Sequence, residues 1–441
     1  MEDGGGRSIP RGPRSDILSP MPGDSAIYRI TGGAPLRGRV RVSGSKNGAD
    51  YAMAAALLSA EDVVLHNVPD IGDTRQMAEI LVHLGARVER TAHDVLRINC
   101  ADLRESNVPP HLAAQLRASF LVMGPLIARL GMASCPPPGG DAIGIRPLDV
   151  HLAGFRMLGA TVAQSGDAFD VRPETTLRGA HVVLDYPSVM GTLNVMLAAT
   201  LAEGRTTIIN AACEPEIQDL AAMLNAMGAR IAGAGTNRVQ IDGVRELRGT
   251  EHRIIPDRVE AGTFALAAAI TRGDVEIEEA VPDHLDALLW KIQEAGATVR
   301  PTDAGVRVSG AARYHAVAAQ ALPYPGLATD LQPQLAAFLT QAEGTSTIHE
   351  RVYDNRLLYV GELAKMGANV LATGPTAIIT GPVRLHAAAV RALDVRAGSA
   401  CVLAALAAEG TTEISDVYHI ERAHEDLRGK LRALGASIER A

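Results

Sequence analysis

The chain has 441 residues, 47% of them apolar and 21% charged, with a formal net charge of −8. That length exceeds one ordinary hydrophobic core and points to two domains. The acidic balance excludes a general nucleic-acid-binding surface, and no apolar run reaches the roughly 20 residues that span a bilayer.

Residues 1–24 are rich in Gly, Pro, Arg and Ser without an apolar centre, and read as a disordered tail rather than a signal peptide. Tyr28–Ile30 and Gly38–Val42 predict two short strands. Ser43-Gly44-Ser45-Lys46-Asn47 then opens an Ala-rich helix expected to run to Ala60. A strand over Val63–Val68 follows, and then an amphipathic helix ending on Gly85. This order recurs. Gly85, Gly159, Gly228, Gly296, Gly367 and Gly435 each close a helix within a Gly-Ala pair, 68 to 74 positions apart, and each precedes a short alternating segment. A glycine at a helix C-terminus supplies the left-handed backbone needed there. Six such copies mark internal repeats. Strands alternating with helices imply crossover connections and partly parallel sheets.

Each unit holds two different helices. The one ending in the glycine turn has a polar face and belongs outside. The Ala-rich one (Asn47–Ala60, Val189–Ala202, Val395–Ala408) is apolar nearly all round and belongs inside. Six buried helices and six small sheets suit two lobes of three units. Polar residues recur at the N-terminal ends of the buried helices: Lys46 and Asn47, Ser188, Asp257 and Arg258, Thr329 and Asp330, and Arg396, with Arg117 a little inside the second. Parallel helices at matched positions aim their N–H groups at one region and favour anions there. Lys46, Arg117, Arg396, Arg356 and Arg422 then make a cleft for phosphate and carboxylate. Lysine is scarce, so arginine supplies most of the cations.

Pro136-Pro137-Pro138-Gly139-Gly140-Asp141 is a loop that presents one acid, Asp141, and one cation, Arg146, and is able to serve as a lid. Gly44-Ser45-Lys46-Asn47 lacks the glycine and the Lys-Ser/Thr pair of a phosphate-binding P-loop, and Gly233-Ala234-Gly235 does not open a helix as a dinucleotide fingerprint does. The histidines lack two-His helical spacing. His419 beside Arg422 and His151 near Asp149 read as hydrogen-bonded rather than metal-bound, so no metal is expected. Cys100, Cys135, Cys213 and Cys401 are scattered and fit free thiols in a reducing cytoplasm.

From about Tyr28 to the C-terminus the chain resembles the UDP-N-acetylglucosamine enolpyruvyl transferases and, more distantly, the shikimate-pathway enolpyruvyl transferase. The resemblance is carried by Ser43-Gly44-Ser45-Lys46-Asn47, Leu116-Arg117-Ala118-Ser119, Gly139-Gly140-x-x-Ile143-Gly144-x-Arg146-Pro147, Pro256-Asp257-Arg258-x-Glu260-x-Gly262-Thr263-Phe264, Thr329-Asp330, Asn355-Arg356, Asp394-x-Arg396 and Tyr418-His419-Ile420-x-Arg422. It implies an α/β, two-lobed inside-out barrel of six βαβαββ-type units (EPSP synthase-like). Residues 25–45 plus 256–441 would form the C-terminal lobe, completed by the N-terminal strands, and 46–255 the N-terminal lobe carrying the 136–146 loop. The implied reaction adds a sugar hydroxyl to C2 of phosphoenolpyruvate while C3 is protonated, then expels phosphate from a tetrahedral ketal, without a cofactor. Carried over residue by residue, Lys46, Arg146, Arg356, Arg396 and Arg422 surround phosphoenolpyruvate. Asp330 is the base at the acceptor hydroxyl, and Asn47 orients the intermediate. Arg117, Asp149, Val150, His151, Ser188, Val189 and Val352 line the nucleotide-sugar site. The implied partners are the two small substrates, with no nucleic acid or membrane, in a monomer or weak homo-oligomer.

The chain departs from the family's pattern in four places. Asp141 stands where most members carry cysteine, the residue fosfomycin alkylates. That predicts resistance; to serve as a proton donor at neutral pH, Asp141 would need a raised pKa, as burial beside another carboxylate can provide. Met190 adds bulk in the nucleotide site, Cys213 stands where arginine precedes Glu-Pro-Glu, and Ala328 replaces a proline. These changes leave open an acceptor such as the ribose hydroxyl of a uridine nucleotide. A non-catalytic relative would lack Lys46, Asp330 or Arg422, and all three are present.

Overall fold

A computed structural model describes residues 26–141, 143–144 and 146–441. The expected tail, 1–24, lies outside them. Two hydrophobic cores are present. One collects residues from Ala49 to Ile254. The other joins Ala26–Val42 to residues from Val259 to Ile438.

Each core is built on three buried helices. Lys46–Ala56, Met123–Leu130 and Val189–Ala199 serve the first; Arg258–Ile270, Gln332–Leu339 and Val395–Ala407 serve the second. Small side chains let these helices touch closely. An added Cβ at Gly124, for example, would meet the Asn194 carbonyl oxygen at 2.5 Å. The first buried helix ends at Ala56, short of the expected Ala60, and Leu57–Ser59 form turns that donate back to Ala54, Ala55 and Ala56 carbonyls. Four of the six start on a side-chain cap. Ser45 accepts from the Gly48 N–H, Ser188 from Gly191, Asp257 from Val259 and Glu260, and Asp394 from Arg396 and Ala397. Such caps satisfy N–H groups that the helix leaves unpaired.

The other two begin differently. Arg117–Val122 and Thr329–Leu331 wind as 3-10 segments before the α-helix takes over. Pro125 and Pro333 sit in the first α-helical turn of each, where a proline needs no N–H donor. A continuous α-helix would drive each ring into the carbonyl four residues back. Arg117 therefore lies ahead of the second buried helix, not inside it as the sequence suggested.

Six small sheets cover the outside. Most combine one parallel with two antiparallel pairings; Arg205–Ile209, for instance, runs parallel to His181–Val183 and antiparallel to Arg238–Asp242. One sheet has only three strands, Ala133–Cys135, Ala160–Ser165 and Ala168–Pro173. Its missing edge is reduced to a single bridge between Asn107 and Ser134, because Pro109 and Pro110 follow at once and cannot donate to a ladder. The six glycine turns all have positive φ, between +85° and +111°.

The chain passes between the cores twice, side by side. Gly44 bridges Pro256, the Ser45 N–H donates to the Ile255 carbonyl at 2.7 Å, and Asp257 N–H to Ser43 at 2.9 Å. A Cβ on Gly44 would lie 1.7 Å from the Asn67 carbonyl oxygen, so only glycine fits. As a result Arg37–Arg41 pairs in parallel with Asp274–Glu278, and Thr250–Arg253 with Asp62–His66.

Candidate active site between the lobes

The N-terminal ends of the buried helices of both cores face one cavity of about 460 Å³. Lys46, Asn47, Arg117, Asp141, Arg146, Asp149, Val150, His151, Ser188 and Val189 reach it from the first core. Asp330, Val352, Arg356, Arg396 and Arg422 reach it from the second. The chain thus brings together every residue singled out from the sequence as a site candidate. What each does there is a separate question, which its neighbours help to answer.

The cations cluster around three carboxylates. Asp330 accepts from Arg356 Nη2 at 2.9 Å and from Arg396 Nε and Nη2 at 3.1 and 2.8 Å. Asp73 accepts from Lys46 Nζ at 2.7 Å and Arg422 Nη1 at 2.9 Å. Arg422 Nη2 also donates to Asp141 at 2.5 Å. Arg356 and Arg396 are buried, and Arg146 and Arg356 both lie over the Tyr353 ring, at 5.6 and 5.7 Å. Buried guanidinium groups need anionic partners. Here the protein supplies its own, and a phosphate or carboxylate ligand would compete for the same donors.

This arrangement sets the ionisation of the two candidate catalytic acids. Burial would raise the Asp330 carboxyl, but Arg396 and Arg356 outweigh it and hold the group far below the ordinary carboxylate range. Asp330 is therefore an anion and able to accept a proton. Asp141 behaves contrary to the sequence expectation. Burial raises its carboxyl too, yet Arg422 and Arg356, with the Arg422 hydrogen bond, bring it below the ordinary value. The expected carboxylate neighbour is replaced by a guanidinium, 281 positions away in sequence. The loop carrying Asp141 also touches the other lobe, where Asn355 N–H donates to the Ile143 carbonyl at 3.2 Å.

At the other end of the cavity, Arg117 Nη2 donates to the Arg146 carbonyl at 2.6 Å. Burial, reinforced by Arg146, lowers the Arg117 guanidinium to about 10. His151 is buried against Phe120, its Nδ1 lies 3.0 Å from Asn194 Nδ2, and burial pushes its pKa down to about 3. It is a neutral imidazole. His419 differs from expectation: it stacks on Tyr418, and its buried Nδ1 has no hydrogen-bond partner among the described residues.

Sequence reasoning missed several lining residues. Asp73 shares Lys46 and Arg422, but only the fold brings it there. Glu216 pairs with Arg258 at 3.0 Å, and Arg258 lies over the Tyr324 ring at 5.8 Å. Tyr324 N–H in turn donates to Glu214 at 3.3 Å. Met190 and Ala328 line the cavity, whereas no cysteine does.

The family model of EPSP synthase (3-phosphoshikimate 1-carboxyvinyltransferase) matches residues 30–431. The chain belongs to this enolpyruvyl transferase family. Among its relatives is a UDP-N-acetylglucosamine 1-carboxyvinyltransferase 1 of Caldanaerobacter subterraneus subsp. tengcongensis, 48% identical over 406 residues, covering 92% of this chain and 97% of the relative. Another is the UDP-N-acetylglucosamine 1-carboxyvinyltransferase of Halothermothrix orenii, 46% identical over 94% of this chain and 99% of the relative. Among solved structures, the enolpyruvyl transferase NikO from Streptomyces tendae superposes with a TM-score of 0.85 at 25% identity, covering 95% of this chain and 99% of NikO. An EPSP synthase from Acinetobacter baumannii shares the fold, with a TM-score of 0.76. As an enolpyruvyl transferase, the chain has the α/β architecture of that family and is an enzyme.

Proposed function

We propose that this enzyme transfers the enolpyruvyl group of phosphoenolpyruvate to the 3-hydroxyl of UDP-N-acetylglucosamine, releasing phosphate, as the committing step of peptidoglycan synthesis in the cytoplasm. The observation that carries the reading is the gathering of Lys46, Arg356, Arg396 and Arg422 beside Asp330 and Asp141 in one cavity. Four cations suit a ligand bearing both phosphate and carboxylate, and two carboxyl groups suit an acid and a base. The names of the relatives that match nearly the whole chain support the acceptor.

In this reading Lys46, Arg146, Arg356, Arg396 and Arg422 hold phosphoenolpyruvate. Asn47, Arg117, Asp149, Val150, His151, Ser188, Val189 and Val352 hold the nucleotide sugar. The acceptor oxygen bonds to C2 of the enol, its proton passes to Asp330, and Asp141 gives a proton to C3. Asp141 becomes an acid once the ligand phosphate takes over Arg422, because burial then governs its carboxyl. The C2–O bond to phosphate next breaks, C3 returns its proton to Asp141, and the Asp330 proton leaves with the phosphate.

The test is phosphate release from phosphoenolpyruvate with UDP-N-acetylglucosamine and, separately, with UMP. Release with UDP-N-acetylglucosamine alone is expected. Release with UMP alone would keep the chemistry and move the acceptor to a ribose hydroxyl, the reading that Met190 in the cavity wall favours. Release with neither overturns the assignment.

A further inference from the structure

One buried carboxyl in the cavity wall is not used by this mechanism. Asp50 lies one helical turn beyond Lys46, is 1% exposed and lines the cavity. Its Oδ2 is 3.8 Å from Lys46 Nζ, too far for a hydrogen bond, and its buried Oδ1 has no partner among the described residues. Lys46 instead donates to Asp73 at 2.7 Å. An ionised carboxylate so poorly satisfied is costly, whereas a protonated one is tolerated.

The charges facing Asp50 are few. Its own helix supplies Lys46, the outer helix Gly72–His83 supplies Asp73, and the turn after Tyr418–Glu421 supplies Arg422. The neighbouring strands Asp62–His66 and Val95–Asn99 turn the apolar Val63, Leu65, Leu96 and Ile98 inward. The helix Pro215–Ala226 brings Glu216, whose field falls on Tyr51. Burial raises the Asp50 carboxyl to about 7, with Lys46 opposing and Asp73 adding to the rise. Two cations, Lys46 and Arg422, thus stand against three carboxylates, Asp50, Asp73 and Asp141.

A ligand carrying phosphate and carboxylate must draw Lys46 and Arg422 away from these groups. Asp50 then loses the two cations, Lys46 first and Arg422 second, that favour its charged form, and gains an anion nearby. Both changes favour the protonated carboxyl. We propose that Asp50 is a positioning residue that takes up a proton as phosphoenolpyruvate binds, freeing Lys46 for the ligand. The proposal rests on the enolpyruvyl-transfer reading above. By linkage, ligand affinity falls as pH rises past the point where free Asp50 ionises.

The experiment follows phosphate release with phosphoenolpyruvate varied at saturating UDP-N-acetylglucosamine, between about pH 6 and about pH 9. The wild type and Asp50→Asn are compared. The ratio of their kcat/KM values for phosphoenolpyruvate, wild type over variant, is expected to fall about tenfold per pH unit above neutrality. A ratio constant with pH, in a variant that melts like the wild type, overturns the role of Asp50 while leaving the enzyme's function intact. No phosphate release by the wild type overturns the function itself, and this role with it. Should Asp50→Asn fail to fold, calorimetry of phosphoenolpyruvate binding to Asp141→Asn in two buffers of different ionisation heat decides the matter. Proton uptake that persists in this variant supports Asp50, and uptake that vanishes with Asp141 overturns it.

Discussion

Asp330 carries two jobs that pull in different directions. It is the counter-ion of Arg356 and Arg396, and in the proposed reaction it is also the proton acceptor. Replacing Asp330 with Asn removes the charge but keeps the shape. Turnover is expected to fall about 10²- to 10⁴-fold, the usual share of a general base. Phosphoenolpyruvate binding is expected to hold or tighten, because two buried guanidinium groups lose their internal partner. Single-turnover kinetics with ligand titration separates the two effects, and a variant that turns over normally removes Asp330 as the base. Asp141 makes a second case. Its carboxylate is a poor nucleophile, and no cysteine lines the cavity, so wild-type activity is expected to survive fosfomycin. Asp141→Cys places a thiol beside Arg422, where a positive field favours the thiolate. That variant is expected to keep activity and lose it progressively on incubation with fosfomycin; an active variant that stays resistant would refute this reading of the loop.

The elements were far more legible in sequence than the contacts between them. The glycine turns and Ala-rich helices repeat with a fixed order, so period and composition were enough to find them. The loss of a regular start in two buried helices was also written in the sequence, as Pro125 and Pro333, but its consequence for Arg117 and Asp330 needed the backbone. Asp73 had no local signature at all: its partner Arg422 lies 349 positions away. The state of Asp141 was misread for the same reason, since a guanidinium brought in by the fold decides it. Asp50 was visible only as a lone acid in an apolar helix. The paired crossing at Gly44 and Pro256 is the element that makes such distant pairs possible. Gly44→Ala would push a Cβ into the Asn67 carbonyl oxygen, a contact of 1.7 Å with backbone. The crossing must then separate. A loss of about 3 kcal/mol or more is expected by chemical denaturation, along with a fall in activity, because Lys46 follows two residues later. A variant as stable and active as the wild type would show that the crossing has slack.

At the scale of the whole molecule, the two lobes meet at a cavity whose paired charges the substrates are expected to borrow. Their separate cores must therefore hold each lobe together while the interface changes. Each lobe also buries one neutral histidine. His151 packs among the helices of the first lobe, bonded to Asn194, and His424 lies in the second, 3.1 Å from Ser399 Oγ. Burial lowers both to about 3, with Arg117 adding to the effect at His151 and Arg396 at His424. Below the ordinary histidine value near 6.5, the unfolded chain takes up protons that the folded chain refuses. Stability therefore falls as pH drops through that value, by about 1.4 kcal/mol per pH unit for each histidine, and the fall ends only near the lowered folded values. Carboxylates such as Asp330, depressed in the folded state, add their own loss at lower pH. Denaturant unfolding at neutral pH and again about two units lower should show this decline. Replacing His424 with Gln, which keeps a polar group toward Ser399, is expected to flatten the decline by one histidine's share while lowering stability at neutral pH. An unchanged slope in the variant would mean that His424 is already protonated in the folded enzyme, with a buried anion such as Asp257 outweighing its burial.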